Sequence, residues 1–232
     1  MNAPPQGGES ESAEAATWFY RKRFSVFGIV YGSAFFFGFL ITGLARIPPV
    51  PVYRMFANPT LVASIAGLAV VAGFAVRVWA SSYLSSSIVW GDDPQATQLR
   101  VSGPYRFTRN PLYLGNVLQA IGVGLVTPWP VLVLVLTGVI TFTYALIFVE
   151  ESFLAEKQGE AYARYRAAVP RLLPIPGKVA PDGRQPASLR DGLRTEAMIG
   201  FLVVVVFAIA LANSALFHPP RALGVLYAAY TA

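Results

Sequence analysis

Long apolar runs separated by short polar segments dominate this chain. Four runs each supply close to the ~20 apolar residues that a helix needs to cross a bilayer, at residues 26–45, 60–80, 128–149 and 198–217. A fifth run, residues 112–127, is shorter and rich in glycine, but a short helix can cross where its neighbours or a thinned bilayer help. The pattern predicts an all-α, multi-pass membrane bundle of about five transmembrane helices.

The composition supports a membrane protein and excludes several kinds of chemistry. Hydrophobic residues make up 55% of the chain and charged residues only 13%, too few to cover a water-soluble globule. The absence of cysteine excludes thiolate nucleophiles and cysteine-ligated metals, and one histidine excludes a multi-histidine metal site. Because the cations flank apolar runs, the net charge of +6 predicts membrane contact and no nucleic-acid partner.

The basic residues are distributed unevenly between the two sides of the predicted bundle. Five alternating spans place 15 of the 18 Lys and Arg residues on one side and leave only Arg46, Arg54 and Arg221 on the other. By the positive-inside rule, the N-terminus and the active site are cytoplasmic and the C-terminus lies on the opposite side, in a bacterial inner membrane. Omitting the short run would place basic loops on opposite sides, which favours counting it as a span.

We divide the chain into four parts. Residues 1–17 are expected to form a disordered N-terminal tail, because they are rich in small and polar residues. Residues 18–90 contain the first two membrane helices, and residues 91–177 form the catalytic unit. Residues 178–232 supply a linker, a C-terminal transmembrane helix of unassigned role and a tail at the outer interface.

Two polar segments, residues 91–111 and 150–177, lead into the third span and out of the fourth. A tight turn at residues 127–130 joins these spans, so they form a helical hairpin whose polar ends should meet. Asn110 and Pro111 are predicted as an N-cap followed by proline at the first helical position. An ordinary capped helix entry at the membrane surface would explain that pattern equally well.

Glu150 and Glu151 directly follow a long apolar run. A helix C-terminus disfavours carboxylates and a membrane boundary makes them costly, which indicates function, although both could simply pair with arginines among the headgroups. An amphipathic helix over residues 152–166 is then predicted as a lid. Its Tyr162 and Tyr165 share a face, where they stack on a flat ligand or pack on the membrane surface.

These motifs occur in an order that resembles a known family. The matching residues are Gly103-Pro104-Tyr105, Arg109-Asn110-Pro111-Leu112-Tyr113-Leu114-Gly115, Glu150-Glu151, Gly159 with Tyr162 and Tyr165, and Arg171 with Pro174. In order and spacing they resemble the isoprenylcysteine carboxyl methyltransferase family and its relatives among the phospholipid methyltransferases. The resemblance covers residues 98–176, and it departs from the commoner pattern in having Asn110 where histidine is frequent.

The resemblance implies S-adenosylmethionine as cofactor and a lipophilic or prenylated acceptor, a small molecule or a lipid, that enters from the bilayer. The residues implied to bind the cofactor are Gly103, Pro104, Tyr105, Asn110, Pro111, Tyr113, Glu150 and Glu151. It implies catalytic roles for Arg109, Glu151 and Arg171, and acceptor binding by Tyr162, Tyr165 and Arg171. An ionised carboxylate acceptor would be steered by Arg109 or Arg171, whereas an amine acceptor would need Glu151 as a base.

The residues are also compatible with other functions. The acceptor, and with it the choice between O-methylation and N-methylation, is not given by the residues, and neither is the oligomeric state. A membrane reductase of the sterol type, using NADPH, is an alternative, although the acidic pair argues against binding a 2′-phosphate. A non-enzymatic structural subunit is a second alternative. Gly28 with Gly32 favour close helix packing within the bundle over a dimer interface, and Gly122 with Gly124 predict a packing feature or room for a cofactor beside that helix.

Overall fold

A computed structural model describes residues 23–47, 50–84 and 99–216, with side chains for 25–47, 50–84 and 99–212. Its α-helices are α1 (Arg23–Leu44), α2 (Pro59–Ser81), α3 (Pro111–Leu125), α4 (Trp129–Ala168) and α5 (Leu189–Leu216), with short 3₁₀ helices at Val52–Met55 and Gly103–Arg106. The predicted all-α fold is confirmed. The predictions for residues 1–17, for Arg221 and for the C-terminal tail lie outside the described residues.

Among the described residues, four helical stretches are long and apolar enough to cross a membrane, namely Ser25–Leu44, Pro59–Ser81, Trp129–Ala168 and Leu189–Ala212. The fifth predicted span, α3, is an apolar helix of 15 residues, which at ~1.5 Å per residue falls short of a ~30 Å hydrocarbon core. The chain before α2 covers its far end, where the Val52 amide donates to the Thr127 carbonyl at 2.9 Å. Four long spans and one shorter helix thus form the bundle.

The helices pack in the order α1, α4, α3, α2 and α5, and α5 also touches α3. Glycine allows the closest approach, because a Cβ atom on Gly73 of α2 would lie 2.7 Å from the Gly115 carbonyl oxygen of α3. A Cβ atom on Gly122 would likewise lie 2.5 Å from the Ala66 carbonyl oxygen. The predicted packing role of Gly122 is therefore confirmed, and small residues bring α2 and α3 into contact.

The predicted packing role of Gly28 and Gly32 in α1 is wrong. A Cβ atom built on either glycine meets none of the described residues within 4 Å, and both glycines line a large cavity. Glycines do lie at the contact between α1 and α4: Gly38 of α1 packs against Val131, and Gly138 of α4 packs against Val30. The spacing of glycines along one helix predicts a face without side chains. It does not show whether another helix or a cavity lies beside that face.

The lid is part of α4 rather than a separate helix beginning at residue 152. Helix α4 continues past Glu151 until Gly159, whose φ of 49° and ψ of −123° break the helical path. Residues other than glycine rarely adopt a positive φ of this size, so glycine at position 159 permits the helix to break there. The following turns place Tyr162 and Tyr165 in a buried cluster with Val169 and Ala180. A helical segment is thus present where the lid is predicted, but the break lies at Gly159 and not at residue 152, and the role as a lid stays a prediction.

A strap formed by residues 178–188 connects the lid to α5 and binds the segment before α3. The Arg106 carbonyl accepts from the Ala180 amide at 3.0 Å, and the Gln185 side chain bonds the backbone of Leu99 and Val101. The Ser188 amide then donates to the Ser82 carbonyl at 2.8 Å, where α5 begins. The strap therefore fixes the chain that precedes α3 against the last helix.

Candidate functional site

The two polar ends of the α3–α4 hairpin meet, as predicted. The Tyr113 hydroxyl donates to Glu150 Oε1 at 2.7 Å, and Asn110 Nδ2 lies 3.3 Å from Glu151 Oε1. Asn110 occupies the N-cap position of α3, but its side chain makes no capping hydrogen bond. It donates instead to the Arg171 carbonyl at 2.9 Å. Asn110 thus joins the hairpin to the chain that follows the lid.

Glu151 is held by two arginines. Arg109 Nε and Nη2 both lie 2.9 Å from Oε1, and Arg171 Nε and Nη2 both lie 3.1 Å from Oε2. Arg109 Nη1 also donates to the carbonyls of Arg166 and Val169, at 2.8 and 3.1 Å. Both oxygens of the Glu151 carboxylate are engaged, and the residue is only 7% exposed. This clamp connects α3, α4 and the end of the lid.

A cavity of about 700 Å³ lies between α1, α3 and α5 and is called the central cavity below. Its volume is within the range of ~300–1,000 Å³ that is usual for small-molecule sites. Glu150, Tyr105, Tyr113 and Tyr165 line its polar end, where α3 begins. Its other end is apolar and lined by Phe35, Val123, Leu202, Val203, Val206 and Ile209. The cavity thus has a polar compartment and an apolar continuation between membrane helices.

The residues predicted for the site divide into two groups. Those that line the central cavity are Tyr105, Arg109, Asn110, Pro111, Tyr113, Glu150 and Tyr165. The remainder, Gly103, Pro104, Glu151, Tyr162 and Arg171, are not among the lining residues. Gly103 packs against the Tyr83 ring with a φ of 58°, and Tyr162 is 1% exposed in the lid cluster. Every assigned role stays a prediction, but the second group supports the cavity wall.

Tyr105 and Tyr165 connect the lid to the cavity. The Tyr165 hydroxyl donates to the Tyr105 carbonyl at 2.7 Å, and both side chains are buried. Burial raises the pKa of the Tyr105 phenol well above its usual value. Tyr105 therefore remains protonated near neutral pH and offers an aromatic face and a hydroxyl, not a basic phenolate.

A buried ion pair not identified from the sequence joins α2 to α5. Arg77 Nε and Nη2 both lie 2.7 Å from Glu196 Oε2, and Ser81 Oγ donates to Glu196 Oε1 at 2.5 Å. Arg77 Nη1 donates to the side chain of Asn116 in α3 and to the Leu112 carbonyl. Glu196 is fully buried, and Arg77 lines the central cavity. Three helices are thereby connected beside the polar compartment.

Two polar residues within the short apolar run also belong to the site, although the sequence did not predict them. Asn116 and Gln119 line the cavity one and two turns beyond the start of α3. Gln119 is 2% exposed, and its Nε2 has no hydrogen-bond partner among the described residues. Leu112, Asn116, Gln119 and Val123 recur at three- and four-residue intervals, which would have shown one helix face. Polar residues on a membrane helix are themselves an indication of function.

Comparison with known proteins agrees with this placement. Residues 62–161 match the family model described as phospholipid methyltransferase, which spans α2, α3 and α4 with both glutamates. A stretch of 103 residues is 31% identical to the cobalt-zinc-cadmium resistance protein CzcN of Cupriavidus metallidurans.

That alignment covers 42% of this chain and 42% of the relative, so the chain spans less than half the length of the relative it matches. No solved structure matches the chain. The match confirms the resemblance drawn from the motifs: residues 62–161 of this chain are similar to the phospholipid methyltransferase family, and they include three of the apolar helices of the bundle.

Proposed function

We propose that this protein transfers a methyl group from S-adenosylmethionine to a lipophilic acceptor in the central cavity. The proposal rests on one observation, the kinds of residue that line the two ends of the central cavity. A carboxylate, Glu150, and three tyrosines line its polar end, and aliphatic and aromatic side chains from α1, α3 and α5 line the rest. A polar, cationic methyl donor and an apolar acceptor could therefore lie end to end.

The polar compartment suits the charges of the donor. S-adenosylmethionine would supply a methyl group activated by its sulfonium cation: a lone pair of the acceptor would bond to the methyl carbon as the carbon–sulfur bond breaks, and the neutral thioether S-adenosylhomocysteine would leave. Glu150 offers negative charge to such a cation, and the rings of Tyr105, Tyr113 and Tyr165 offer aromatic faces. The Tyr113 hydroxyl donates to Glu150 and fixes the position of that carboxylate.

Alignment and exclusion of water, rather than acid–base groups, are what this reaction needs. The lid covers the compartment with Tyr165 and Leu154, and the clamp of Arg109 on Glu151 holds the lid end against α3. A carboxylate acceptor carries no proton that must leave. An amine acceptor must lose one, and Glu150 lines the cavity, whereas Glu151 has both oxygens bonded to arginine.

The apolar end of the cavity favours an acceptor with a hydrocarbon portion. Gly28 and Gly32 leave space along α1, and Leu202, Val206 and Ile209 line the opposite wall on α5. A hydrocarbon chain that enters from the bilayer is already out of water, so this space would select it by shape and packing rather than by the hydrophobic effect. The membrane lipids themselves and prenylated carboxylates are the two acceptor classes to compare.

Binding of S-adenosylmethionine to the detergent-purified protein tests this proposal. We expect micromolar binding by calorimetry, weakened about tenfold or more in Glu150→Gln, because one charged contact is lost. Glu160→Gln is the matched control, since the Glu160 side chain is 93% exposed on the lid. A folded wild-type protein that binds NADPH but not S-adenosylmethionine would contradict the proposal. Labelled methyl transfer into phospholipid or prenylcysteine vesicles then identifies the acceptor class.

A further inference from the structure

Four arginines surround the polar compartment of the central cavity. Arg77, Arg100 and Arg109 line it, and Arg171 lies behind Glu151. A cation beside a pocket can recognise an anionic group on a ligand only if its donors are not already used by the protein. The hydrogen bonds of each arginine therefore decide which of them is available.

Three of the four are engaged. Arg77 is paired with Glu196 and bonded to Asn116, and Arg109 is paired with Glu151 and bonded to two carbonyls at the lid end. Arg171 shares Glu151, and its guanidinium lies 4.7 Å from the centre of the Phe148 ring. The predicted steering of a carboxylate by Arg109 or Arg171 would thus require these contacts to break.

Arg100 differs from them. Its Nε is buried but has no hydrogen-bond partner within the described part of the chain. No ion pair joins it to a carboxylate in the described ranges, whereas each of the other three is paired. A buried guanidinium N–H without an acceptor is costly, which indicates that a ligand supplies the acceptor.

The position of Arg100 identifies the part of the ligand that it would contact. Its neighbours Leu99 and Tyr105 line the cavity together with Leu154 and Tyr165 of the lid region, away from the apolar end. Arg100 therefore faces the portion of the cavity that would hold a water-soluble ligand.

We propose that Arg100 binds the carboxylate of the methyl donor's amino-acid portion. This inference rests on the proposed function, because it assigns a residue to S-adenosylmethionine. A guanidinium presents paired N–H donors that match a carboxylate, and the unpartnered Nε would supply one of them. The division of charge then follows: Glu150 faces the cationic groups of the donor, and Arg100 faces its single anionic group.

The test compares S-adenosylmethionine with its decarboxylated analogue, S-adenosyl-3-methylthiopropylamine. Calorimetry measures both ligands on the full-length purified protein, as wild type, Arg100→Met, Arg100→Lys and Arg164→Met. Arg100→Met removes the charge and keeps an apolar side chain. Arg100→Lys keeps the charge but lacks the paired N–H donors of a guanidinium. Arg164→Met is the matched control, because Arg164 is 74% exposed and pairs only with Glu160 on the lid surface.

We expect wild type and Arg164→Met to prefer S-adenosylmethionine by about tenfold to a hundredfold, the usual value of a charged hydrogen bond. Arg100→Met should lose that preference by binding S-adenosylmethionine more weakly while binding the analogue unchanged, and Arg100→Lys should retain part of it. If Arg100→Met still prefers S-adenosylmethionine to the analogue as strongly as wild type does, the inference is overturned. Arg100 would then be available to bind an anionic acceptor instead. If folded wild type binds neither ligand, the proposed function fails as well.

Discussion

Adjacent glutamates at positions 150 and 151 point in different directions because successive residues on a helix are ~100° apart. Glu150 bonds Tyr113 and lines the cavity, whereas Glu151 is turned toward Arg109 and Arg171. The sequence predicts that both belong to the site, but nothing in it assigns the rotation of α4. One carboxylate is thus placed to contact a ligand and the other to hold the wall.

Substituting Glu151 tests that division. We expect Glu151→Gln to lower the free energy of unfolding by about 3 kcal/mol, because it leaves two guanidinium groups without their shared negative charge. Glu150→Gln should cost much less, since the amide can still accept from the Tyr113 hydroxyl. Thermal unfolding in detergent measures both. Equal melting temperatures for Glu151→Gln and the exposed control Glu160→Gln would contradict the clamp.

At the scale of the helices, the apolar runs predict where each element lies, but its end depends on single residues. The run at 128–149 predicts a span correctly, while α4 continues to Gly159 because residues 150–158 are compatible with a helix as well. Only the positive φ of Gly159 ends the straight segment. Gly32 and Gly38 of α1 are six residues apart and lie on different faces of the helix: Gly32 faces the cavity and Gly38 faces Val131.

Leucine at these two positions should therefore have opposite effects. Gly38→Leu should destabilise the fold by about 1–3 kcal/mol, because its Cβ would lie 2.7 Å from Val131 Cγ2. Gly32→Leu should fold normally and bind S-adenosylmethionine, but transfer methyl groups to a lipophilic acceptor about tenfold more slowly, as a narrowed pocket would. Unfolding curves and a vesicle methylation assay measure the two effects. Full transfer activity in Gly32→Leu would argue against acceptor binding beside α1.

At the scale of the whole molecule, α5 belongs to the site although the sequence left it without a role. An arginine within one apolar run and a glutamate just before another are each ordinary near a membrane surface, and only their pairing shows otherwise. Glu196 fixes α5 to Arg77, and Gly192 and Gly200 let α5 approach α2. Such contacts between distant parts of a chain cannot be deduced from periodicity within one helix.

Breaking that ion pair should weaken the whole bundle. Arg77→Met and Glu196→Met should each lower stability by about 3–5 kcal/mol, because each leaves an uncompensated buried charge. The double variant should recover most of the loss, since neither charge then remains. Unfolding by titration with a denaturing detergent provides the four values of the cycle. Additive losses in the double variant would show that the two side chains act independently.

The Arg77–Glu196 pair also has a consequence for how the protein is made. Arg77 lies in α2 and Glu196 in α5, 119 positions later in the chain. Until α5 is inserted, Arg77 is in a nascent bundle without its carboxylate, and the central cavity lacks the wall that Leu202 and Val206 provide. Chains that stop before α5 should consequently be recognised by membrane quality control as incomplete. The ion pair thus makes completion of the site depend on the insertion of α5.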